Sequence, residues 1–498
     1  MEVFEWQREN LAWSPLQFMT PSTYLWRGQF VVSRSSQDLE QFGLERSLSS
    51  EFDLWTSPEL PLVRVGPVTV LGLAAVITGD SLEDHFATAT SASTPREIAD
   101  LALDLTGRFV LVADLASGLS LIPDALGSRR VFLSAGGTVA SSSEILLRHV
   151  GAESLPLTPA ARRLPDNPLW PKREFATFGL HSPISGYRRL LPNREVNLDT
   201  GLASICDPAT EKTDTSVPDA ARTIRRVAKA ISGFGPVNIG LTAGFDSRLI
   251  LAAFHAEGIE VFNYTFADSG SKKHLDAEVA KAISLPLGYR HETITEPEPD
   301  PEILDLLKAT QTIVRPLPHV LSHLTWFSRQ EDQMLTVSGN GGEVARSHFG
   351  LAPRHLGREI SKRALLGHTA SAYDVEAFDD WWDDRFPHGA CNLPPTTLHY
   401  WEQRAAIWGA QFPSEKDLFT NEVSGFSSGR LQRELVSFPQ IERSSLTSSL
   451  FNDLVEELSP ELARLEPPTP TRWQFRVNHA TPIPIALRTV RRGWGQDT

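Results

Sequence analysis

Cysteine is nearly missing from this chain: its 498 residues include two, Cys206 and Cys391, far apart in sequence. Two such residues build neither a disulfide framework nor a cysteine-based zinc site. Long apolar runs are missing too. The most apolar stretch, Val68 to Thr78, is too short to cross a bilayer as a helix and reads as a core strand. The opening MEVFEWQREN has no basic segment followed by an apolar one, so neither secretion nor membrane insertion is expected and the expected location is cytoplasmic. An excess of positive charge is also lacking. With a net charge of -14 and a pI near 5.5, a broad surface for nucleic acid or anionic membrane is not expected, since both are polyanions. A nucleotide held in a local cradle stays compatible with that balance.

What is present is an ordinary globular composition, 41% hydrophobic and 22% charged. The length predicts about two or three domains, each able to bury a full core. Residues 1 to about 150 are rich in strand signals: Gln29 to Ser33, Leu62 to Ile77, Arg108 to Asp114, Leu119 to Pro123 and Arg130 to Ser134, separated by turn formers at short spacing. That spacing predicts antiparallel meanders. Pro95 to Leu105 has helical periodicity, with Ile98, Leu101 and Leu105 on one face. Residues 151 to 205 have many prolines and arginines and read as a connector, and Thr213 to Pro218 as a linker into a helix over Ala220 to Ile231.

The sequence then changes character. Pro236 to Phe254 reads as a buried strand, a tight loop and the start of a helix: Val237, Ile239 and Leu241 alternate, and Leu249, Ile250, Ala253 and Phe254 fall at helical spacing. Gly244 lets loop N–H groups turn inward, and Asp246 and Ser247 stand where the helix has unpaired N–H groups and its positive end. Phosphate suits that place. A carboxylate beside it is repulsive unless a divalent cation joins the two, so Asp246 points to Mg²⁺. The alternative is a plain turn with Asp246 and Ser247 as N-cap residues. Ile259 to Phe266 reads as a second parallel strand, Leu275 to Ile283 as a helix, and Met334 to Ser338 as a further strand leading into Gly339-Asn340-Gly341-Gly342-Glu343. Two loops at carboxyl ends of parallel strands, each with glycine and a carboxylate, make one ligand crevice.

The loop Leu241-Thr242-Ala243-Gly244-Phe245-Asp246-Ser247-Arg248 resembles the pyrophosphate loop, S-G-G-x-D-S, of the synthetase domain in the asparagine synthetase B family. Ser338 to Val344 is similar to that family's second loop, S-G-x-G-x-D-E, with Glu343 where Asp is usual and Val344 where Glu is usual. Thr265, Phe266, Asp276, Ala277 and Ala280 match its T-F … D-A-x-x-A segment, and Gly107 to Ser134 resembles part of its glutaminase domain through Phe109, Asp114, Asp124 and Gly127.

The resemblance implies an α+β N-terminal glutaminase-like sandwich over residues 1–205. It implies an α/β ATP-pyrophosphatase domain, of the adenine nucleotide α-hydrolase-like type with a helical C-terminal part, over 206–498. It implies ATP and Mg²⁺, with Asp246 and Glu343 catalytic and metal-holding. ATP and pyrophosphate would be held by Leu241, Thr242, Ala243, Gly244, Asp246, Ser247, Thr265, Phe266, Gly339 and Gly341, with Arg248 a further phosphate candidate. Asp276 reads equally as a charge at a helix start, and Lys272, Lys273 and His274 stand just before it.

A glutaminase of this kind needs a cysteine directly after the initiator Met as nucleophile; here Met1-Glu2-Val3 stands instead, so glutamine hydrolysis is not expected. No lysine follows Lys416, so the family's downstream lysine and its R-x-P-F-L-D passage are missing; Ser437-Phe438-Pro439 before Arg443 is a weak echo. The expected activity is an AMP-forming carbon–nitrogen ligase that adenylates a carboxylate and passes it to an amine, as β-lactam synthetases and lasso-peptide cyclases do, on a small-molecule or peptide substrate in a biosynthetic pathway. A homodimer is compatible. The alternatives are ammonia-dependent asparagine synthesis and a non-catalytic nucleotide-binding scaffold.

In the region from 351 on, expected to be helical, Trp401, Ala405, Trp408 and Phe412 mark a core face, and Tyr400, Gln403 and Arg404 fall in a Y-x-x-x-R pattern on the substrate side of related chains. His319 and His323 form a one-face H-x-x-x-H pair with no third ligand in sight. The proline-rich tail from Pro467, ending in Arg488, Arg491 and Arg492, reads as a surface extension.

Overall fold

The computed structural model describes residues 25–465 except 35–37, 49–51, 152–154, 206–214, 268–271, 331–333, 368–369, 387–391 and 445–448. Both cysteines, the Met1-Glu2-Val3 start, Thr213 and Asp214 of the expected linker and the proline-rich tail lie outside the described residues, and the linker's Val217 and Pro218 already belong to the helix Val217–Ser232. So do the side chains of Lys272, Lys273 and His274.

The N-terminal half forms two six-stranded antiparallel sheets. One contains β1 (Phe30–Ser33), β2 (Glu45–Leu48), β3 (Asp53–Thr56), β8 (Phe132–Leu133), β9 (Val139–Ser141) and β10 (Arg188–Arg189). The other runs β12-β11-β7-β6-β5-β4, where β4 is Leu62–Val65, β5 Val68–Val76, β6 Leu105–Leu115, β7 Gly118–Pro123, β11 Arg194–Asn197 and β12 Leu202–Ile205. Phe30, Val32 and Leu54 of the first sheet share a core with Leu71, Val110, Val112, Leu121 and Val196 of the second. Apolar burial on the facing sides holds the layers together. The expected strand over Leu62 to Ile77 is a hairpin, broken at Gly66 by its positive φ of 55°. The expected strand over Arg130 to Ser134 shrinks to two residues because Arg129 and Arg130 turn inward as hydrogen-bond donors, to the Gly28 carbonyl and to Gln311.

The region expected to be a connector contributes three strands, β10 to β12, the last two closing the edge of the second sheet. The helix expected over Pro95 to Leu105 ends at Ala102, started by a Thr94 and Glu97 capping box.

The chain then builds a five-stranded parallel sheet in the order β15-β14-β13-β16-β17. Its strands are β13 (Val237–Gly240), β14 (Val261–Ala267), β15 (Arg290–Thr295), β16 (Leu335–Ser338) and β17 (Glu422–Ser424). β13 and β16 are neighbours although almost a hundred residues separate them. Helices Val217–Ser232, Phe245–Ala256 and Ser449–Leu458 pack with β13 and β16 in one core. Helices Pro301–Thr310 and Pro318–Ser328 form a separate cluster with Phe412 and Leu418. The region from 351 on is helical except for β17, which was not expected there.

Tyr400–Gly409 is wound as a π-helix, so the expected 3.6-residue face does not form: Trp401 and Ala405 are buried, whereas Trp408 is partly exposed beneath the Arg404 guanidinium. No described helix is long and apolar enough to cross a membrane.

Buried polar contacts tie the antiparallel half to the rest. Arg108 on β6 meets Asp417 (Nη2 to Oδ2, 2.8 Å), and Thr106 meets Ser427 (2.8 Å between hydroxyls). Arg194 on β11 reaches Glu402 at 2.9 Å and Asp384 at 2.8 Å.

Candidate functional site

The two glycine loops lie side by side, because β13 and β16 are adjacent and parallel and both loops leave the same end of the sheet. After β13, the Leu241 N–H still bonds to the Tyr264 carbonyl at 2.9 Å, and the chain then turns at Thr242. The Thr242 hydroxyl accepts from the Gly244 N–H at 3.1 Å and lies 3.2 Å from the Ser247 hydroxyl, which also accepts from the Thr242 N–H at 3.2 Å. Gly244 itself is the N-cap, so Asp246 and Ser247 belong to the first helical turn instead of capping it. The N–H groups of that turn have no acceptor within the helix.

The remaining loop donor is held from outside. The Ala243 N–H donates to Asp276 Oδ1 at 2.9 Å. The helix carrying Asp276 starts at Lys272, so this residue sits past its first turn and pins the loop; the reading as a helix-start charge is not what the structure has.

Asp246 faces Glu343 across the junction. A Cβ at Gly339 would come within 2.9 Å of the Asp246 Cβ, and one at Gly342 within 2.4 Å of Asp246 Oδ1. Glycine at both positions is what allows the loops to close on that carboxylate. Gly341 has φ of 86°, where a side chain is strained and would also strike Leu126 at 2.7 Å.

Arg346 fills the gap between the carboxylates. Its Nε donates to Asp246 Oδ1 at 2.8 Å, its Nη2 to Asp246 Oδ2 at 2.6 Å, and Nη2 also reaches Glu343 Oε1 at 3.4 Å. On its other side Glu343 Oε2 takes the Tyr400 hydroxyl and stands 3.1 Å from His348 Nδ1. The site is therefore a chain: Asp246, Arg346, Glu343, then Tyr400 and His348.

The charges follow from these contacts. Burial pushes the Asp246 carboxyl up, opposed by Arg346. For Glu343, burial also opposes ionisation, but the His348 hydrogen bond and charge, the Tyr400 hydroxyl and Arg346 together prevail and bring it down to about 2. Burial and the neighbouring Glu343 push Tyr400 well above the usual phenol range, so it stays a proton donor.

The expected base-flanking residues stand at the end of β14. Thr265 is buried and its hydroxyl is already used, donating to the Leu241 carbonyl at 2.6 Å and lying 3.0 Å from His291 Nε2. The Phe266 ring stacks on His323 with centroids 3.8 Å apart. His323 Nε2 lies 3.1 Å from Glu296, a carboxylate neighbour that the His319–His323 spacing did not disclose. Among the described residues no group of three or more His, Cys, Asp or Glu is arranged to hold a metal ion. Arg248 bends back to the Gly244 carbonyl at 3.3 Å and over the Phe245 ring. Gln403 is buried away from the loops, accepting the Gly179 N–H at 2.6 Å.

Arg346, His348 and the role of Asp276 were not legible in the sequence. An arginine just beyond a short helix reads as a solvated residue until its carboxylate partners are placed. Neither a known protein family nor any curated protein matches this chain.

Proposed function

We propose that the chain is an ATP-dependent, AMP-forming amide ligase that adenylates a carboxylate and transfers it to an amine without hydrolysing glutamine. One observation carries this reading: Asp246 and Glu343, on two glycine loops at the carboxyl ends of neighbouring parallel strands, share one guanidinium. On this reading residues 1–205 are a glutaminase-like sandwich without its nucleophile. Residues 206–498 are then an ATP-pyrophosphatase domain of the asparagine synthetase type.

Mg²⁺ fits the donor chemistry, since hard carboxylate oxygens of Asp246 and Glu343 would hold it. When bound it screens phosphate charge and polarises the departing oxygens. Because Arg346 uses the same oxygens, cation and guanidinium compete for them.

The loop N–H groups at the start of the Phe245–Ala256 helix, with Thr242 and Ser247, bind the phosphates and stabilise charge on the leaving pyrophosphate. The substrate carboxylate oxygen bonds to the α-phosphorus as the bridge to the β-phosphate breaks. The amine nitrogen then bonds to the acyl carbon and AMP leaves. The amine proton passes to a base. In its neutral form, with Nδ1–H turned to Glu343, His348 would offer Nε2 as that acceptor.

ATP–pyrophosphate exchange tests the reading. Exchange that depends on an added carboxylate, drawn from a panel of amino acids and short peptides, supports it; nucleotide binding with no exchange for any carboxylate supports a non-catalytic nucleotide-binding scaffold. That second reading is favoured by the bidentate Asp246–Arg346 pair, which occupies the carboxylate a cation needs.

A further inference from the structure

A wide concave surface lies away from the glycine loops. It is a cleft of about 670 Å³ between the end of β5 and the helix Val217–Ser232, lined on one side by Ala74, Ala75 and Val76. On the other side the helix presents Arg222, Arg225, Arg226 and Lys229, all exposed, while Ile224, Val227, Ala228 and Ile231 are buried beneath. In a chain of net charge -14 such a cationic stripe stands out. Two of the four are partly spent: Arg222 pairs with Asp219 at 2.9 Å and Arg225 with Glu257 at 2.6 Å. Arg226 and Lys229 have no carboxylate at ion-pair distance among the described residues.

The facing strand has an open edge. β4 covers β5 only from Val68 to Leu71, and the Gly72 N–H turns outward to the Pro61 carbonyl at 2.8 Å. The unbroken register with β6 makes Ala74 and Val76 face outward like Gly72. The outward N–H and carbonyl of Ala74 and the N–H of Val76 have no partner among the described residues; the Val76 carbonyl takes the Gly79 N–H at 3.0 Å. Proteins usually blunt such an edge with charge or proline on the strand itself. Here the nearby strand residues are small and apolar, and the four cations stand across the cleft, against Asp80 past the strand's end and Glu257, which is paired with Arg225.

We propose that this cleft binds an extended acidic peptide segment of a partner protein, which adds as a strand to the outer edge of β5 and points carboxylates at Arg226 and Lys229. Alternate residues of a strand lie roughly 6.7 Å apart, whereas Arg226 and Lys229 are about 4.5 Å apart along the helix, a difference that their long, exposed side chains span. The recognised pattern is thus acidic at alternate positions, with small or β-branched residues between. The proposal is independent of what happens at the glycine loops.

The test uses the full chain and a fluorescent peptide with glutamate at alternate positions and threonine or valine between, read by anisotropy. Saturable micromolar binding is expected. The Arg226→Glu/Lys229→Glu double variant, both sites exposed, should weaken it by at least about tenfold. Ala74→Pro, which removes only an outward donor, should weaken it similarly, and so should N-methylating the peptide backbone. Circular dichroism checks that each variant is folded. No binding by the parent chain overturns the proposal. Equal binding of the N-methylated peptide, or full displacement by tripolyphosphate at matched charge, also overturns it, since either marks a general polyanion surface.

Discussion

Arg346 grips Asp246 with two parallel hydrogen bonds, at 2.8 and 2.6 Å, and so neutralises the most enclosed carboxylate of the candidate site. Removing one partner of such a pair leaves the other charged and poorly solvated. Arg346→Gln should therefore lower stability by on the order of 3 kcal/mol, and adding Asp246→Asn should restore much of it. If the guanidinium stands where a cation binds, millimolar Mg²⁺ should stabilise Arg346→Gln in urea melts and leave the parent nearly unchanged. Equal response of both chains to Mg²⁺ would count against that substitution of charges.

Asp246→Asn keeps the shape of the side chain but removes its charge. On the proposed ligase reading, carboxylate-dependent exchange should fall by at least about a hundredfold. Unchanged exchange would remove Asp246 from the chemistry.

Asp276 acts at one remove by fixing the Ala243 N–H. Asp276→Ala should raise the KM for ATP by about tenfold, the cost of one hydrogen bond to a charged acceptor, with a smaller change in kcat. Asp276→Asn retains an acceptor oxygen and should recover most of the affinity. Isothermal titration with a non-hydrolysable ATP analogue measures this without turnover.

His399 is buried among Phe178, Phe349, Phe378 and Trp381, and its Nδ1 has no hydrogen-bond partner. Burial holds its pKa down to about 3, against 6.5 ordinarily. The unfolded chain takes up this proton below about pH 6.5 while the folded chain refuses it until about 3. The contribution is thus complete above pH 6.5 and lost as pH falls through that window, at most on the order of 5 kcal/mol. His399→Phe should flatten the difference in denaturation midpoint between pH 7 and pH 5; an unaltered difference would assign it to other groups.

Lys416 is fully buried, bonded to Glu422 at 2.6 Å with its ammonium 3.9 Å from the Phe327 ring centroid. Lys416→Met should destabilise the fold by about 4 kcal/mol, and Glu422→Gln in that background should give part of it back. Chemical denaturation of the single and double variants reads both values.

The sequence made some of this plain and hid the rest for physical reasons. β13, β14 and β16 were readable because apolar and β-branched residues recur along them, at alternate positions in and just past β13 (Val237, Ile239 and Leu241). β15 was not, since most of its residues are exposed and polar, and β17 is only three residues long. The glycine loops were visible because close approach leaves a compositional mark at Gly339 and Gly342. Asp276 and Arg346 left none: each meets a partner about thirty or a hundred residues away, and a lone charge has no periodicity. The π-helix at Tyr400 was hidden because its bonding pattern has no counterpart in the 3.6-residue period used to read helices.

The ion pairs of Arg108 with Asp417 and of Arg194 with Glu402 bear on how this gene can be shortened. A truncated product starting near residue 206 would retain Asp417 and Glu402 but lose both arginines, leaving Asp417 in the interior without its guanidinium and Glu402 with Arg385 and the Trp381 N–H alone. Whatever chemistry the antiparallel half performs or has given up, its arginines neutralise acids of the other half, so removing it should cost stability in what is left.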